Sequence, residues 1–155
     1  MKMSEEDNTG GTGVATVSNT ATHKFVARLD RTLIAIAQRV ADGLFHENTE
    51  IVLETARVFG NLTRRSSVVQ LLFRKRIDEA LLMLLAHINT DVISAVAGVF
   101  VNISAYAEGR MLLLQREDPY FVPHVSGMLR RLTLKDIPIA ILLTQVKDIV
   151  DCVFE

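Results

Sequence analysis

Two stretches of this chain, 41 residues apart, decide its fold. Asn48–Thr63 reads NTEIVLETARVFGNLT and Asn89–Ser104 reads NTDVISAVAGVFVNIS. The stretches align without a gap, with six of sixteen positions identical and five more replaced conservatively, where chance would give about one identity. Such a period indicates that the chain is built from stacked copies of one small structural unit.

Each copy opens with a long amphipathic helix, because its apolar side chains recur with the 3.6-residue helical period. We predict that the long helices start at Asn48 and Asn89, where the following Thr and acidic residue supply capping and first-turn negative charge. A short helix at about 67–73 and another at about 77–88 complete the first unit. The apolar stripe consists of Val52, Ala56, Phe59 and Thr63 in the first copy and Ile93, Ala97, Phe100 and Ser104 in the second.

The composition around the repeat sets the domain boundaries. Residues 1–22 are rich in Gly, Ser, Thr and Asn and lack an apolar stripe, which predicts a disordered polar tail. Gly and Pro then become rare, which predicts an all-α domain over 23–155. Within it we expect full repeats at about 48–88 and 89–133, with partial units on either side. The last predicted element is a helix over 135–154.

Charge and cysteine content restrict the classes of partner. The 155 residues carry 17 basic and 18 acidic side chains, so no overall field favours nucleic acid or an anionic membrane. No apolar run reaches the 18 or so residues that cross a bilayer, and no signal peptide is recognisable. The single cysteine, Cys152, predicts a reducing, cytoplasmic environment.

The sequence carries no recognisable catalytic or metal-binding motif. The histidines are scattered, without an HxxxH or HxH pair or a Cys companion, and no phosphate-binding glycine motif is present. No nucleophile, base and orienting group can be assembled from spacing. We therefore expect no enzyme activity, no metal and no cofactor. The four histidines are His23, His46, His87 and His124.

The ends of the two long helices resemble the armadillo repeat. The residues that carry the likeness are Ala56–Thr63 (ARVFGNLT) and Ala97–Ser104 (AGVFVNIS), in a 41-residue unit. HEAT repeats are the nearest rival, but they usually have two helices per unit and lack this Asn. The resemblance implies an α-solenoid of about two full repeats whose long helices line a concave groove. It also implies that Asn61 and Asn102 bind the backbone of an extended partner; the alternative is that each bonds only within its own repeat.

One turn before each Asn, the import receptors of the family place a Trp. Here those positions hold Arg57 and Gly98, and the chain contains no Trp, which argues against binding of nuclear localisation signals. Arg57 beside Asn61 instead favours an acidic or phosphorylated partner segment. The alternative is a solvated arginine paired with Glu54 or Glu50.

Basic clusters occur along the chain, and Arg64 and Arg65 are expected beside the groove. Together with a second cluster at 74–76 they could form a stripe for an acidic tail, although a plain solvated surface is the alternative. Aromatic residues are not interleaved with them, which argues against nucleic acid. Arg64 to Ser67 also matches a basic-directed kinase pattern with Ser67 as acceptor. Ser66 or Ser67 as a helix N-cap is the favoured alternative.

The two repeats are most similar to those of a ciliary and flagellar member of the family. That resemblance implies a scaffold in axoneme assembly, with axonemal or intraflagellar-transport proteins as partners and a location in the cytoplasm and the cilium or flagellum. The alternative function is a structural module that caps a larger axonemal assembly or associates with itself. Its means of self-association would be the apolar C-terminal helix.

Overall fold

The computed structural model describes residues 13–115 together with residues 139, 141, 144 and 145. Residues 13–115 form α-helices joined by short turns, and a 3-10 turn, Ala41–Phe45, follows the first helix. No strand occurs in this part of the chain, and the predicted all-α, solenoid-like fold is confirmed. The helices are α1 (Gly13–Val40), α2 (Thr49–Leu62), α3 (Ser66–Arg74), α4 (Ile77–Leu84), α5 (Thr90–Ala105) and α6 (Ala107–Gln115).

The repeat found in the sequence reappears as a repeat of helices. The long helices α2 and α5 begin 41 residues apart, at Thr49 and Thr90, and the short helices α3 and α6 begin 41 residues apart, at Ser66 and Ala107. Among the described elements, the two long helices form the largest helix–helix contact. Each unit thus buries its apolar face against its neighbour, as expected when a single repeat is too small to build its own core.

The start of each long helix is capped by an asparagine. Asn48 Oδ1 accepts the backbone N–H of Glu50 at 2.9 Å, and Asn89 Oδ1 accepts that of Asp91 at 2.8 Å. The prediction assigned capping to the residues after each Asn, and this detail is wrong. Asn lies just outside the helix in extended backbone, where its short amide reaches back to an N–H that lacks a helical partner.

The predicted serine cap of the next helix is also wrong. Arg65 occupies the N-cap of α3, and no side-chain hydrogen bond caps the helix. Ser66 and Ser67 lie inside the first turn instead. The helix can begin one residue earlier than the serine pattern suggests because Val68 and Val69, both buried, fix its orientation against the core.

The structure differs from the tail prediction for residues 13–22, which it places in α1. Their composition gives no apolar stripe, and the described side chains from Asn19 to Leu29 are all exposed. A helix nucleated downstream can nevertheless grow backwards, because each added residue gains one backbone hydrogen bond without a new nucleation step. Residues 1–12 lie outside the described part.

The turn between α3 and α4 contains a left-handed residue that the sequence did not indicate. Arg76 has φ of 58°, a conformation usually reserved for Gly at a helix end. Its N–H bonds the carbonyl of Phe73 at 3.2 Å, which closes the end of α3. The helix predicted over 77–88 ends earlier, at Leu84. Turns and irregular backbone lead from there to Asn89, the cap of the next long helix.

The predicted apolar stripe forms the core. Phe59 is 0% exposed and Phe100 is 1% exposed, and the small residues Ala56 and Ala97 are both fully buried between helices. Truncating either phenylalanine to Ala would cost about 3–5 kcal/mol, because a cavity would remain in a packed interior. Arg130, Arg131, His124 and Cys152, and most of the predicted helix 135–154, lie outside the described residues.

Candidate functional site

A polar stripe runs along the exposed face of α2. Its first four members are spaced four, three and four residues apart, so they lie one above another on the helix surface, and the fifth, Arg64, follows in the turn after α2. All of them are exposed. The stripe is acidic near the start of the helix and basic near its end, and Asn61 lies within the basic half. The stripe consists of Glu50, Glu54, Arg57, Asn61 and Arg64.

The equivalent stripe on α5 has one charged residue, Asp91, and is otherwise small and uncharged. It consists of the residues 41 positions later, Asp91, Ala95, Gly98, Asn102 and Ala105. A Cβ added to Gly98 would meet no atom within 4 Å, so this glycine is not required for packing inside the chain. Small residues beside a charged stripe leave room for another polypeptide backbone to approach α5. The two stripes together are called the α2–α5 surface below.

Asn102 links the two repeats. Its Nδ2 donates to the Gly60 carbonyl at 2.6 Å and lies 3.5 Å from Thr63 Oγ1. The side chain is half-buried. Gly60 belongs to the last turn of α2, where carbonyl groups lack helical N–H partners, so Asn102 acts as a cap supplied by the next repeat. The alternative of a bond only within its own repeat is therefore wrong for Asn102.

Asn61 occupies the same position of the motif but a different environment. It is exposed, and its amide makes no hydrogen bond to another residue of the described part. Both its donor and its acceptor groups are open to a partner. The two asparagines are therefore not equivalent in this structure, although the sequence treats them alike.

Arg57 adopts the alternative considered from the sequence. It donates a hydrogen bond to Glu54 within one turn of α2, in an ion pair whose two side chains are 55% and 62% exposed. Exposed pairs of this kind contribute about 0–1 kcal/mol. A partner carboxylate could therefore replace Glu54 at small cost.

The two arginines after α2 point in different directions. Arg65 Nε lies 3.4 Å from Asp30 Oδ1, so Arg65 forms an ion pair with α1. Arg64 keeps an exposed side chain, and its backbone carbonyl accepts the hydroxyl of Tyr106 from the next repeat. Of the pair, Arg64 is the residue that remains available on the α2–α5 surface.

Ser67 is poorly placed as a phosphate acceptor. Its Oγ is buried and has no hydrogen-bond partner. A kinase would reach this hydroxyl only after the first turn of α3 had opened. The basic residues Arg74 and Lys75 lie at the other end of α3 from Ser67, and both are exposed.

A repeated histidine was missed by the sequence reasoning. His46 Nδ1 accepts the N–H of Asn48 at 3.0 Å, and His87 Nδ1 accepts that of Asn89 at 2.9 Å. The 41-residue offset between the two histidines was the available signal, since it extends the repeat two residues upstream. Their role is to orient the asparagine that caps each long helix.

Within the described residues, no three His, Cys, Asp or Glu side chains come together as a metal ion would require. Within residues 13–115 no single helix has the length and hydropathy of a membrane span. In this part of the chain, only α5 and the first part of α6, taken together, have that length and hydropathy. The axes of these two helices meet at 114°.

The fold and the repeat define a class, an all-α solenoid assembled from armadillo-like units. The chain is similar to armadillo repeat-containing protein 2 of mouse (Mus musculus), with 31% identity over 78 residues, and of cattle (Bos taurus), with 28% identity over 101 residues. The matches cover 50% and 64% of this chain. The chain spans only 9% of the mouse protein and 12% of the bovine one.

Two further comparisons gave no match: neither a protein-family profile nor a solved structure resembles the chain significantly. The similarity to armadillo-repeat proteins supports a general role as a protein-interaction scaffold. The partner-binding roles of Arg57, Asn61, Arg64, Arg65 and Asn102 stay predictions.

Proposed function

We propose that the chain is a non-catalytic scaffold that binds an extended, acidic segment of a partner protein along the α2–α5 surface. The observation that carries the proposal is the arrangement of Arg57, Asn61 and Arg64 as exposed residues beside the small residues of α5. The arginines supply charge-assisted hydrogen bonds to carboxylates. The Asn61 amide can pair with a peptide N–H and C=O whatever the side chains of the peptide are.

The basic half of the surface is accessible to an acidic partner. Glu54 and Arg57 pair with each other, but both side chains are exposed, and the Arg64 side chain, which forms no ion pair within the described residues, is exposed beyond Asn61. Asn102 contributes less, because its amide nitrogen is held by Gly60. Arg65 is held by Asp30, so we assign it a positioning role at most.

Fluorescence anisotropy with a labelled glutamate-rich peptide tests this proposal. The double variant Arg57→Glu/Arg64→Glu should weaken binding about tenfold or more, because two attractive contacts become repulsive. The matched control Arg74→Glu/Lys75→Glu changes the same net charge away from the surface and should have little effect. Equal weakening by both double variants, or no binding by the unmodified chain at about 50 mM salt, would refute the proposal.

We propose further that the scaffold serves axoneme assembly, in the cytoplasm and in the cilium or flagellum. Support comes from the resemblance of the two repeats to a ciliary member of the family. Affinity purification from ciliated cells should recover axonemal or intraflagellar-transport proteins with the unmodified chain. The Arg57→Glu/Arg64→Glu variant should lose them. Recovery of none of these proteins by either form would remove the axonemal role.

A second candidate function is a structural module that associates with itself or caps a larger assembly. It is favoured by apolar side chains exposed near both ends of the described chain. Phe25 on α1 is 67% exposed, and Ile141 is 54% exposed. Large exposed apolar groups are the usual mark of a surface that is covered by a partner.

A further inference from the structure

An open apolar cavity of about 320 Å³ lies against α2, at the end of α1. Ile51 is 40% exposed there, and Val40 and Val58 are only partly covered. The cavity is lined by Val40, Glu50, Ile51, Glu54, Thr55 and Val58.

The repeat itself indicates what belongs in this cavity. The positions 41 residues after its apolar lining are Leu81, Val92, Val96 and Val99, and all four are 0% exposed. The side of α5 that carries Val92, Val99 and Asn102 faces α2, since Asn102 bonds the Gly60 carbonyl. Within residues 13–115 no helix lies beside α2 in the way that α2 lies beside α5. The repeat therefore predicts that a long helix belongs in this cavity.

We infer that the long helix of a second copy of this chain, predicted over 135–154, docks in this cavity, so that copies stack head to tail. The inference rests on the second proposed function and names the surface that self-association uses. Asn61 takes the role that Asn102 plays inside the chain, because both occupy the same position of the repeat. Its free amide donates to a carbonyl near the end of the incoming helix.

The described residues of the C-terminal segment fit this role. Ile139 is 5% exposed and belongs to the core of its own copy, whereas Ile141 is 54% exposed. Both residues are helical, and two residues along a helix are about 200° apart around its axis. Ile139 thus packs in its own copy, and Ile141, on the opposite side of the helix, remains available for the next one.

The receiving surface extends beyond the cavity along α1. Phe25, Leu29, Ile36 and Val40 share one face of this helix, and Val40 also lines the cavity. Phe25, Leu29 and Ile36 are 67%, 37% and 40% exposed. Association would remove this apolar surface from water, which is the principal favourable term in most protein–protein association.

Head-to-tail stacking predicts that two variants, each with a different damaged surface, pair when they are mixed. The head is the surface that includes the α2 cavity, and the tail is the surface that carries Ile141. Such an interface joins two different surfaces, so a chain with a damaged head still offers an intact tail. Ile51→Glu damages the head and Ile141→Glu damages the tail. Ile88→Glu is the matched control, because Ile88 is 95% exposed and lies in the turn before α5.

Analytical ultracentrifugation between about 1 and 100 µM measures the outcome, with circular dichroism to verify that each variant folds. The unmodified chain and Ile88→Glu should exceed the chain mass of 17.2 kDa as concentration rises. Each damaged variant should stay at that mass, and their equimolar mixture should reach twice the mass and no more. Asn61→Ala, on an exposed side chain, should weaken association about tenfold without affecting the fold.

Three results would overturn the inference. The unmodified chain could remain at 17.2 kDa throughout, in which case the occupant is a different protein. Ile141→Glu could associate like the unmodified chain, which would indicate head-to-head pairing. The mixture of damaged variants could fail to pair. Failure of head-to-tail stacking can be distinguished from failure of the scaffold proposal. The Ile51→Glu variant should still bind the glutamate-rich peptide, and the Arg57→Glu/Arg64→Glu variant should still self-associate.

Discussion

Replacing each of the two repeat asparagines by Ala should have unequal effects on stability. Asn102 donates to the Gly60 carbonyl at 2.6 Å in a half-buried position, whereas Asn61 has no hydrogen-bond partner among the described residues and is exposed. Both replacements lie in a long helix and gain the same intrinsic helix preference, up to about 0.7 kcal/mol. The difference between them therefore isolates the bond between the repeats.

The size of the difference in stability depends on the Gly60 carbonyl, which accepts a hydrogen bond from Asn102. Two of the other carbonyls at the end of α2 have local donors, since Phe59 accepts the N–H of Thr63 at 2.9 Å and Leu62 accepts that of Arg65 at 3.1 Å. For Gly60 the remaining local donor is Thr63 Oγ1, at a long 3.4 Å. Removing Asn102 loses one bond and leaves this carbonyl poorly satisfied, so it should cost about 1–2 kcal/mol more than removing Asn61.

Urea unfolding followed by far-ultraviolet circular dichroism, at a concentration where the chain is monomeric, measures this difference. Asn102→Ala should lower the midpoint at unchanged m-value, and its thermal midpoint should fall by about 2–8 °C relative to Asn61→Ala. Asn102→Asp is a useful third variant, because it keeps the size of the side chain and removes the donor. It should be at least as destabilising as Asn102→Ala.

Equal stabilities of Asn61→Ala and Asn102→Ala would refute the reasoning. The bond between Asn102 and Gly60 would then contribute nothing beyond what water supplies. A loss of stability confined to Asn61→Ala would be a more serious contradiction. It would mean that the exposed asparagine carries the contact between units in the isolated chain.

The remaining predictions concern the backbone and the caps. Gly98→Ala should raise the thermal midpoint, by about 0.5–1 kcal/mol of added stability, since its Cβ meets no atom within 4 Å. Gly109→Ala should lower the midpoint by the equivalent of about 1–3 kcal/mol, because its Cβ would lie 2.0 Å from the Ile103 carbonyl oxygen. His87→Ala should cost about 0.5–1.5 kcal/mol in urea unfolding and speed amide exchange at the start of α5. Ser67→Ala should be neutral or stabilising by up to about 1 kcal/mol, and the folded chain should resist phosphorylation at this residue in a kinase assay.

Much of the helical architecture could be predicted from the sequence because it depends on local spacing. Val52, Ala56 and Phe59 recur at helical intervals, and side chains so spaced must share a face whatever surrounds them. The 41-residue offset also located α3 and α6 relative to the long helices. The serine cap of α3 failed for the converse reason. Ser66 and Ser67 suit an N-cap by type, but the packing of Val68 and Val69 decides where the helix begins.

The candidate site was only partly predictable for a related reason. The sequence identified Arg57 and Asn61 on one helix and Arg64 at its end as candidate binding residues, and all three are exposed. It could not distinguish Arg64 from Arg65, because Asp30, which pairs with Arg65, lies 35 positions earlier in the chain. An ion pair or hydrogen bond between distant segments requires an atom within a few ångströms, and sequence spacing does not supply that distance.

The two repeat asparagines show the difference between what the sequence determined and what the tertiary structure determined. The sequence by itself determined that the chain is a helical repeat, that two long helices carry the same motif, and that Asn61 and Asn102 occupy the same position in it. Only the tertiary structure decided that the Asn102 amide is hydrogen-bonded to the Gly60 carbonyl and that the Asn61 side chain is exposed. The physical reason is that a side chain forms the bonds its neighbours allow. Asn102 has a preceding long helix beside it, and Asn61 has no such helix beside it within the described residues.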